Sequence, residues 1–282
     1  MKNNKKILVI PTDFSSIANN AIHYAIELAK EFDYSIVLYH SFIPFESGFY
    51  SNTHNTKENI ETETNLVKRL NKIKNSILIT NKLISISIHI DQGSESVRLL
   101  EFCKQNKIAL VVIGTSGADG LREIVIGSFT ADIMSKAICP ILSIPKGCLY
   151  KMPKKITFAT GYNKGDIKAI RFLSEWNISF KAKINVLHID DDKCNVSDKE
   201  GLFIKFKRKI ETQIHGIPLS FQHITGKDIP SSILDITLHD KTDILAVSPI
   251  IRKGFWWNIF HKSITKKTAY HIHIPLLAIP IK

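Results

Sequence analysis

The 282-residue sequence has no long apolar run, no paired cysteines and little glycine or proline. A membrane-spanning helix needs about 18 consecutive apolar residues, and a secretory signal peptide needs roughly 7–15. The first apolar block, Ile7–Ile10, is shorter than either. The four cysteines are scattered without a Cys-x-x-Cys pair, which is typical of reduced thiols and not of a disulfide framework or a zinc site. We therefore expect a cytoplasmic protein that does not associate with membranes.

Motifs for the common catalytic chemistries are also absent. The sequence contains neither a Gly-x-Ser-x-Gly nucleophile motif nor a Walker loop. His271 and His273 are spaced like a pair of metal ligands, but no Cys, Asp or Glu partner is placed nearby. We therefore predict no catalytic residue and no metal site.

The positive charge is concentrated in one half of the chain. The formal net charge is +12, which would suit a nucleic-acid-binding protein. Residues 1–147 contain 16 basic and 14 acidic residues, whereas residues 148–282 contain 22 basic and 12 acidic ones. The basic run at 205–209 lies in a predicted helix and is interpreted as a solvated face, so a nucleic-acid partner is not expected.

The two halves carry the same order of apolar segments. Residues 139–145 (CPILSIP) and 274–280 (IPLLAIP) are identical at four of seven positions. Three further pairs match in the same order: 6–10 with 155–159, 36–40 with 184–188, and 109–113 with 243–247. Collinear matches indicate a duplication. We predict two homologous domains, residues 1–146 and 152–282.

Within the first half, short Val- and Ile-rich runs alternate with longer amphipathic segments. Such runs are typical of parallel strands that are buried on both faces by helices. The predicted strands are 7–11, 35–41, 84–90, 110–114 and 141–144, and the predicted helices are 15–32, 58–79, 94–106 and 128–137. The pattern indicates an α/β fold with a doubly wound parallel sheet, in which ligands bind beyond the carboxyl ends of the strands.

The segment after the fourth predicted strand has the features of an anion site. Gly114 and Gly117 permit a tight turn, and Gly127 and Ser128 begin a helix whose N–H groups and dipole can receive phosphate oxygens. Two simpler interpretations stay open. The glycines can serve only a turn, and Asp13 after the first strand can serve only as a helix cap.

This stretch resembles the universal stress protein family. ATP-binding members of that family carry Gly, two residues, Gly, nine residues, then Gly-Ser/Thr, and Gly114, Gly117, Gly127 and Ser128 match that spacing without a gap. Asp13 matches the family's aspartate that contacts the nucleoside. The resemblance covers the whole first domain and the second domain more weakly, which suggests a tandem member.

The resemblance implies two Rossmann-like domains of the adenine nucleotide alpha hydrolase-like type, each a five-stranded parallel sheet of order 3-2-1-4-5. It also implies that the first domain binds ATP, with or without Mg²⁺, or another adenine nucleotide. The implied contacts are Pro11, Thr12 and Asp13 to the adenosine, Gly114, Ser116 and Gly117 to the ribose and phosphates, and Gly127, Ser128, Phe129 and Thr130 to the phosphate tail. Ser116 stands where the family often has a basic residue, which predicts weaker phosphate binding.

The second half has lost these features. Ser248 and Ile251 replace Gly114 and Gly117, and Gly161 lies in the region of Asp13. The proline and isoleucine side chains of residues 249–251 cannot adopt the same open turn and would occupy the phosphate path. We predict that this degenerate domain does not bind ATP in the family's manner and is structural or mediates interactions.

From the resemblance we expect a nucleotide-binding regulatory protein of the stress response, at most a weak or partner-dependent ATPase. The alternative is an interaction or dimerisation module of the same fold that binds no nucleotide. The repeated final strands predict that the two domains pair edge to edge within one chain, because open edges invite nonspecific pairing. Further association into a homodimer is left open.

Overall fold

The computed structural model describes residues 5–115, 128–163, 165–192, 199–248 and 273–281. The first half contains β1 (Ile7–Pro11), α1 (Ser16–Phe32), β2 (Ser35–Phe42), α2 (Asn52–Thr80), β3 (Ile86–Gln92), α3 (Glu95–Asn106), β4 (Leu110–Thr115), α4 (Ser128–Ser135) and β5 (Ile141–Pro145). The second half contains β6 (Lys155–Ala159), α5 (Asp166–Trp176), β7 (Lys183–Asp191), α6 (Lys199–Glu211), β8 (Leu219–Gly226), α7 (Ile229–His239), β9 (Ile244–Val247) and β10 (Leu276–Ala278).

These strands form one continuous sheet in the order β3-β2-β1-β4-β5-β10-β9-β6-β7-β8. Within each half the neighbouring strands are parallel and follow the order 3-2-1-4-5. This confirms the predicted α/β fold and its duplication. The halves meet where β5 runs antiparallel to β10, with Leu142 opposite Leu277. Neither final strand therefore leaves an open edge.

The strand registers align the two halves residue by residue. Leu8 pairs with Leu110, and Ile156 pairs with Ile244 at the same point of the second half. Leu8 therefore corresponds to Ile156, which shifts the predicted equivalence of Lys6 with Lys155 by one residue. The prediction was wrong here because lysines precede both strands, and only backbone pairing fixes the register of such apolar runs. The equivalences predicted for the other three pairs of segments agree with the registers.

Helix boundaries follow capping side chains. The Ser15 hydroxyl accepts the Ala18 N–H at 3.1 Å and begins α1. Helix α2 begins six residues before its predicted start, at Asn52, because Ser51 caps a first turn that is entirely polar. In the part of the chain that the structure describes, no helix is both long and apolar enough to cross a bilayer.

Candidate functional site

A cavity of about 220 Å³ opens at the carboxyl ends of β1 and β4, and we call it the first cleft. Six of the predicted site residues line it, namely Pro11, Thr12, Asp13, Gly114, Phe129 and Thr130. Ser116, Gly117 and Gly127 lie outside the described residues. Ser128 is the first residue of α4, but its side chain is likewise outside them. The structure thus brings together the predicted residues of the first strand, the fourth strand and the following helix.

Thr12 fixes the loop that follows β1. Its N–H donates to the Tyr39 carbonyl at 2.9 Å, and its hydroxyl oxygen accepts the Phe14 N–H at 3.0 Å. Its carbonyl lies 2.7 Å from His40 Nδ1, which must donate because a carbonyl oxygen can only accept. Thr12 itself is buried. The loop is therefore tied to β2 along the floor of the first cleft.

Phe14 adopts a left-handed backbone conformation, with φ of 66°. This conformation is costly for an aromatic residue. The Phe14 ring lies between His40, with the ring centroids 4.9 Å apart, and Arg69, whose Cζ is 3.8 Å from the Phe14 centroid. These contacts stabilise the Phe14 side chain, and the neighbouring Asp13 is exposed.

Asp13 is exposed at the mouth of the first cleft and accepts the Ser15 N–H at 2.9 Å. Partial burial opposes its ionisation, but the hydrogen bonds from Ser15 outweigh burial and lower the pKa of Asp13. The carboxylate is therefore a local turn acceptor that stays charged at the mouth of the first cleft. The alternative role as a helix cap belongs instead to Ser15.

Glu95 is a second carboxyl group in the first cleft that sequence reasoning missed. It lies in the first turn of α3 and lines the cavity together with Asp13. Burial raises the pKa of Glu95, His40 opposes this shift, and the charge of Asp13 adds to it. Its signal was the position of Ser94-Glu95 just after the third strand, since that strand ends at the same edge of the sheet.

Gly114 allows β4 to approach α1 closely. A Cβ atom at this position would lie only 2.6 Å from the Ile17 carbonyl oxygen and 2.9 Å from Ile17 Cγ2. Real Cβ atoms do not tolerate such a contact with backbone. The glycine therefore has a packing role at the cleft that requires no ligand.

Gly114→Ala is expected to lower the free energy of unfolding by about 1–3 kcal/mol, because α1 must shift to accept the methyl group. Urea denaturation followed by circular dichroism measures this loss. Gly48→Ala is the control, since a Cβ there meets nothing within 4 Å, and it is expected to change stability by less than about 0.5 kcal/mol. Equal losses in the two variants would contradict the packing role.

The second half repeats the loop but not its exposed carboxylate. The Thr160 N–H donates to the Leu187 carbonyl at 2.9 Å, its hydroxyl accepts the Tyr162 N–H at 3.0 Å, and its carbonyl lies 2.8 Å from His188 Nδ1. These are the three interactions that Thr12 makes. Gly161 occupies the position of Asp13, so the second half has no carboxylate at that position.

Asp166, the first residue of α5, accepts hydrogen bonds from the loop that follows β6. It occupies the position of Ala18 and is only 1% exposed. One oxygen, Oδ2, accepts the Thr160 hydroxyl at 2.7 Å, the Asn163 N–H at 3.1 Å and the Gly161 N–H at 3.2 Å. Burial raises the pKa of Asp166, although these hydrogen bonds oppose the shift. The second loop is therefore satisfied by a buried carboxylate of its own chain.

The fourth-strand position of the second half also departs from the first. Ser248 is buried and stands at the position of Gly114. Residues 249–272 lie outside the described residues. They include Ile251, the predicted counterpart of Gly117, and His271, one of the two histidines spaced like metal ligands.

Comparison with known proteins identifies similar sequences and similar structures. The sequence model of the universal stress protein family matches residues 3–145. A universal stress protein of Methanocaldococcus jannaschii is 28% identical over 150 residues, which cover 50% of this chain and 82% of that protein. A universal stress protein of Archaeoglobus fulgidus has a similar structure, with a TM-score of 0.73 at 13% identity, covering 98% of this chain and 99% of that one.

A functionally unknown protein of Pseudomonas aeruginosa is also similar in structure, with a TM-score of 0.59 at 12% identity. The match covers 99% of this chain and 93% of that one. At such low identity the two structures establish the fold alone. Their coverage extends over both halves, so the duplicated architecture is shared.

Proposed function

Because this chain belongs to the universal stress protein family, we propose that its first half, residues 1–146, binds ATP or another adenine nucleotide in the first cleft. The proposed role is regulatory, in a response to stress, and any ATP turnover is slow or depends on a partner. The second half, residues 152–282, is proposed to be a structural or interaction-mediating copy. The chemistry of the two loops after the first strands supports this division.

The observation that carries the proposal is the position of Asp13. Its lowered pKa keeps the carboxylate ionised at neutral pH, and it lies exposed at the edge of a cavity between β1 and β4. An adenosine offers amine and ribose hydroxyl donors that suit such an acceptor. A doubly wound sheet binds its ligands at this switch point between strands.

Helix α4 supports the proposal that the phosphates of the nucleotide bind in the first cleft, because Phe129 and Thr130 of its first turn line that cavity. The N-terminus of a helix attracts anions through its free N–H groups and its dipole. The glycine spacing of residues 114–128 adds the family's phosphate loop to this helix. The nucleoside is thus proposed to bind at Asp13 and the phosphates at α4, with or without Mg²⁺.

The experiment is an equilibrium titration of the full chain with a fluorescent ATP analogue. Asp13→Ala is expected to weaken binding about 10–100-fold, the range for losing a hydrogen bond to a charged group. Asp235→Ala is the matched control, because it removes an equal charge from an exposed position on α7. Its affinity is expected to stay within about twofold of the wild type.

Two results would contradict nucleotide binding in the first cleft. One is a wild-type dissociation constant weaker than about 1 mM. The other is equal affinity for wild type and Asp13→Ala when both show the same unfolding curve. Either result would favour the alternative, an interaction or dimerisation module of the same fold without a nucleotide.

A further inference from the structure

Three side chains with metal-binding atoms converge at the carboxyl ends of β7 and β8. His188 and Asp190 lie two residues apart on β7 and so share one face of the sheet, and His223 lies opposite His188 on β8. Asp190 Oδ1 is 3.1 Å from His188 Nε2, and Asp190 Oδ2 is 2.6 Å from His223 Nε2. One ligand atom from each residue lies within 4.8 Å of the others. We call these residues the histidine–aspartate cluster.

The hydrogen bond at Nδ1 of His188 determines whether Nε2, the ring nitrogen that faces the cluster, carries a lone pair. Its Nδ1 must donate to the Thr160 carbonyl at 2.8 Å, because that oxygen can only accept. In the neutral ring, Nε2 then carries a lone pair that faces a carboxylate oxygen. Two acceptors at 3.1 Å need a cation or a proton between them. A backbone carbonyl that accepts a hydrogen bond from the other ring nitrogen, here Nδ1, also orients metal-binding histidines.

The cluster is held by its neighbours yet remains open to solvent. The Tyr162 ring stacks on His188 with 3.8 Å between centroids, and Phe203 packs on His223 at 5.0 Å. The side chains of His188, Asp190 and His223 are 13%, 15% and 19% exposed. An ion can therefore enter, while the ligands lose little freedom when it binds.

The first half shows that the duplicated fold does not require this cluster. Its registers place Phe42 at the position of Asp190 and Ile90 at that of His223, while His40 corresponds to His188. At these three positions the first half thus has one histidine with Phe42 and Ile90, whereas the second half has three donor groups. The difference lies in the copy that has lost the exposed aspartate.

We propose that His188, Asp190 and His223 bind a divalent first-row transition-metal ion such as Zn²⁺. Two imidazole nitrogens and one carboxylate oxygen are donors that these ions prefer, whereas Ca²⁺ and Mg²⁺ prefer sites made of oxygen alone. Three protein ligands leave a coordination position for water or a further ligand. The second half therefore has a ligand chemistry of its own, different from that of the first cleft.

The test uses the full chain, freed of any affinity tag, treated with chelator and titrated with Co²⁺, whose visible absorption reports its coordination. We expect one saturable site that Zn²⁺ competes for. His223→Ile, which introduces the residue of the first half, is expected to weaken binding at least tenfold, since even outer-shell changes cost about 10–100-fold. Asp190→Asn, which preserves the side-chain shape, is expected to weaken binding as well.

His89→Ala is the matched control. His89 Nε2 lies 3.1 Å from Asp91 Oδ1, so β3 repeats the His-x-Asp pair. The residue opposite His89 on the adjacent strand β2 is Tyr39, not a second histidine. Its Co²⁺ affinity is expected to equal that of the wild type. The proposal is overturned if the wild type shows no saturable Co²⁺ site. It is also overturned if His223→Ile and Asp190→Asn bind Co²⁺ as tightly as the wild type does. In that case a proton, and not a metal ion, lies between His188 Nε2 and the Asp190 carboxylate.

Discussion

Trp176→Ala is expected to lower the free energy of unfolding by about 3–5 kcal/mol, the usual cost of truncating a buried tryptophan. Trp176 is the last residue of α5 and is 5% exposed. Its ring stacks on Phe32 of α1, with centroids 5.3 Å apart, and meets the edge of Phe180 at 5.0 Å. Because Phe32 belongs to the first half, this contact joins the two copies across one face of the sheet.

Trp176→Phe separates the packing of the ring from its polar atom. In the described part of the chain, Trp176 Nε1 has no hydrogen-bond partner, although the atom is buried. An unsatisfied buried donor costs about 1–3 kcal/mol, so its removal offsets part of the lost ring area. Trp176→Phe is therefore expected to change stability by less than about 1 kcal/mol. Urea unfolding followed by far-ultraviolet circular dichroism gives both values, and a large loss in both variants would contradict this explanation.

Two sets of contacts join the two copies, namely the packing at Trp176 and the pairing of β5 with β10. Each final strand covers the edge of the other, and the rings of Phe32, Trp176 and Phe180 pack against one another across the two copies. A single copy would expose both surfaces. The second copy therefore covers surfaces of the first, even though it lacks the counterparts of Asp13 and Gly114.

The sequence alone predicted most of the fold, because the Val- and Ile-rich runs and the duplication each indicate the same sheet. The predicted strands of the first half begin within two residues of those observed. The start of α2 was missed because its first turn is polar and so lacks apolar periodicity. The one-residue shift of the first strand arose because apolar patterns do not record which residues pair.

The candidate site was harder to predict wherever residues distant in the chain meet at one edge of the sheet. Asp13 and Gly114 were identified because each lies at the carboxyl end of a predicted strand. Glu95 and the histidine–aspartate cluster were missed, since their roles depend on the registers of β3, β7 and β8. The His188-x-Asp190 spacing was the available signal, since residues two apart on a strand share a face, but His223 becomes their neighbour only through strand pairing.

Asp166→Ala is expected to lower the free energy of unfolding by about 2–4 kcal/mol, because three donors lose their common acceptor. Thr160 is buried, whereas Gly161 is exposed and can bond to water instead, which limits the loss. Ser174→Ala is a suitable control, since it removes a buried hydroxyl of the same helix whose only described bond, at 2.6 Å, is to the Ile170 carbonyl within that helix. It is expected to cost about 1 kcal/mol. A loss no larger in Asp166→Ala would contradict the role of this carboxylate.

Asp166→Asn tests whether the charge or the oxygen acceptor stabilises the second loop. The amide oxygen can accept the same three hydrogen bonds, and burial raises the pKa of Asp166, so folding disfavours its charged form. The asparagine variant is therefore expected to lose less than about 1 kcal/mol at neutral pH. An acid whose pKa is raised by folding contributes most when it is protonated. The wild type should thus gain stability relative to Asp166→Asn as the pH falls from neutral towards about 4. Urea titrations of both proteins at neutral pH and at about pH 4 measure this change. If the wild type instead lost stability relative to Asp166→Asn at the lower pH, the ionised carboxylate would be the stabilising form.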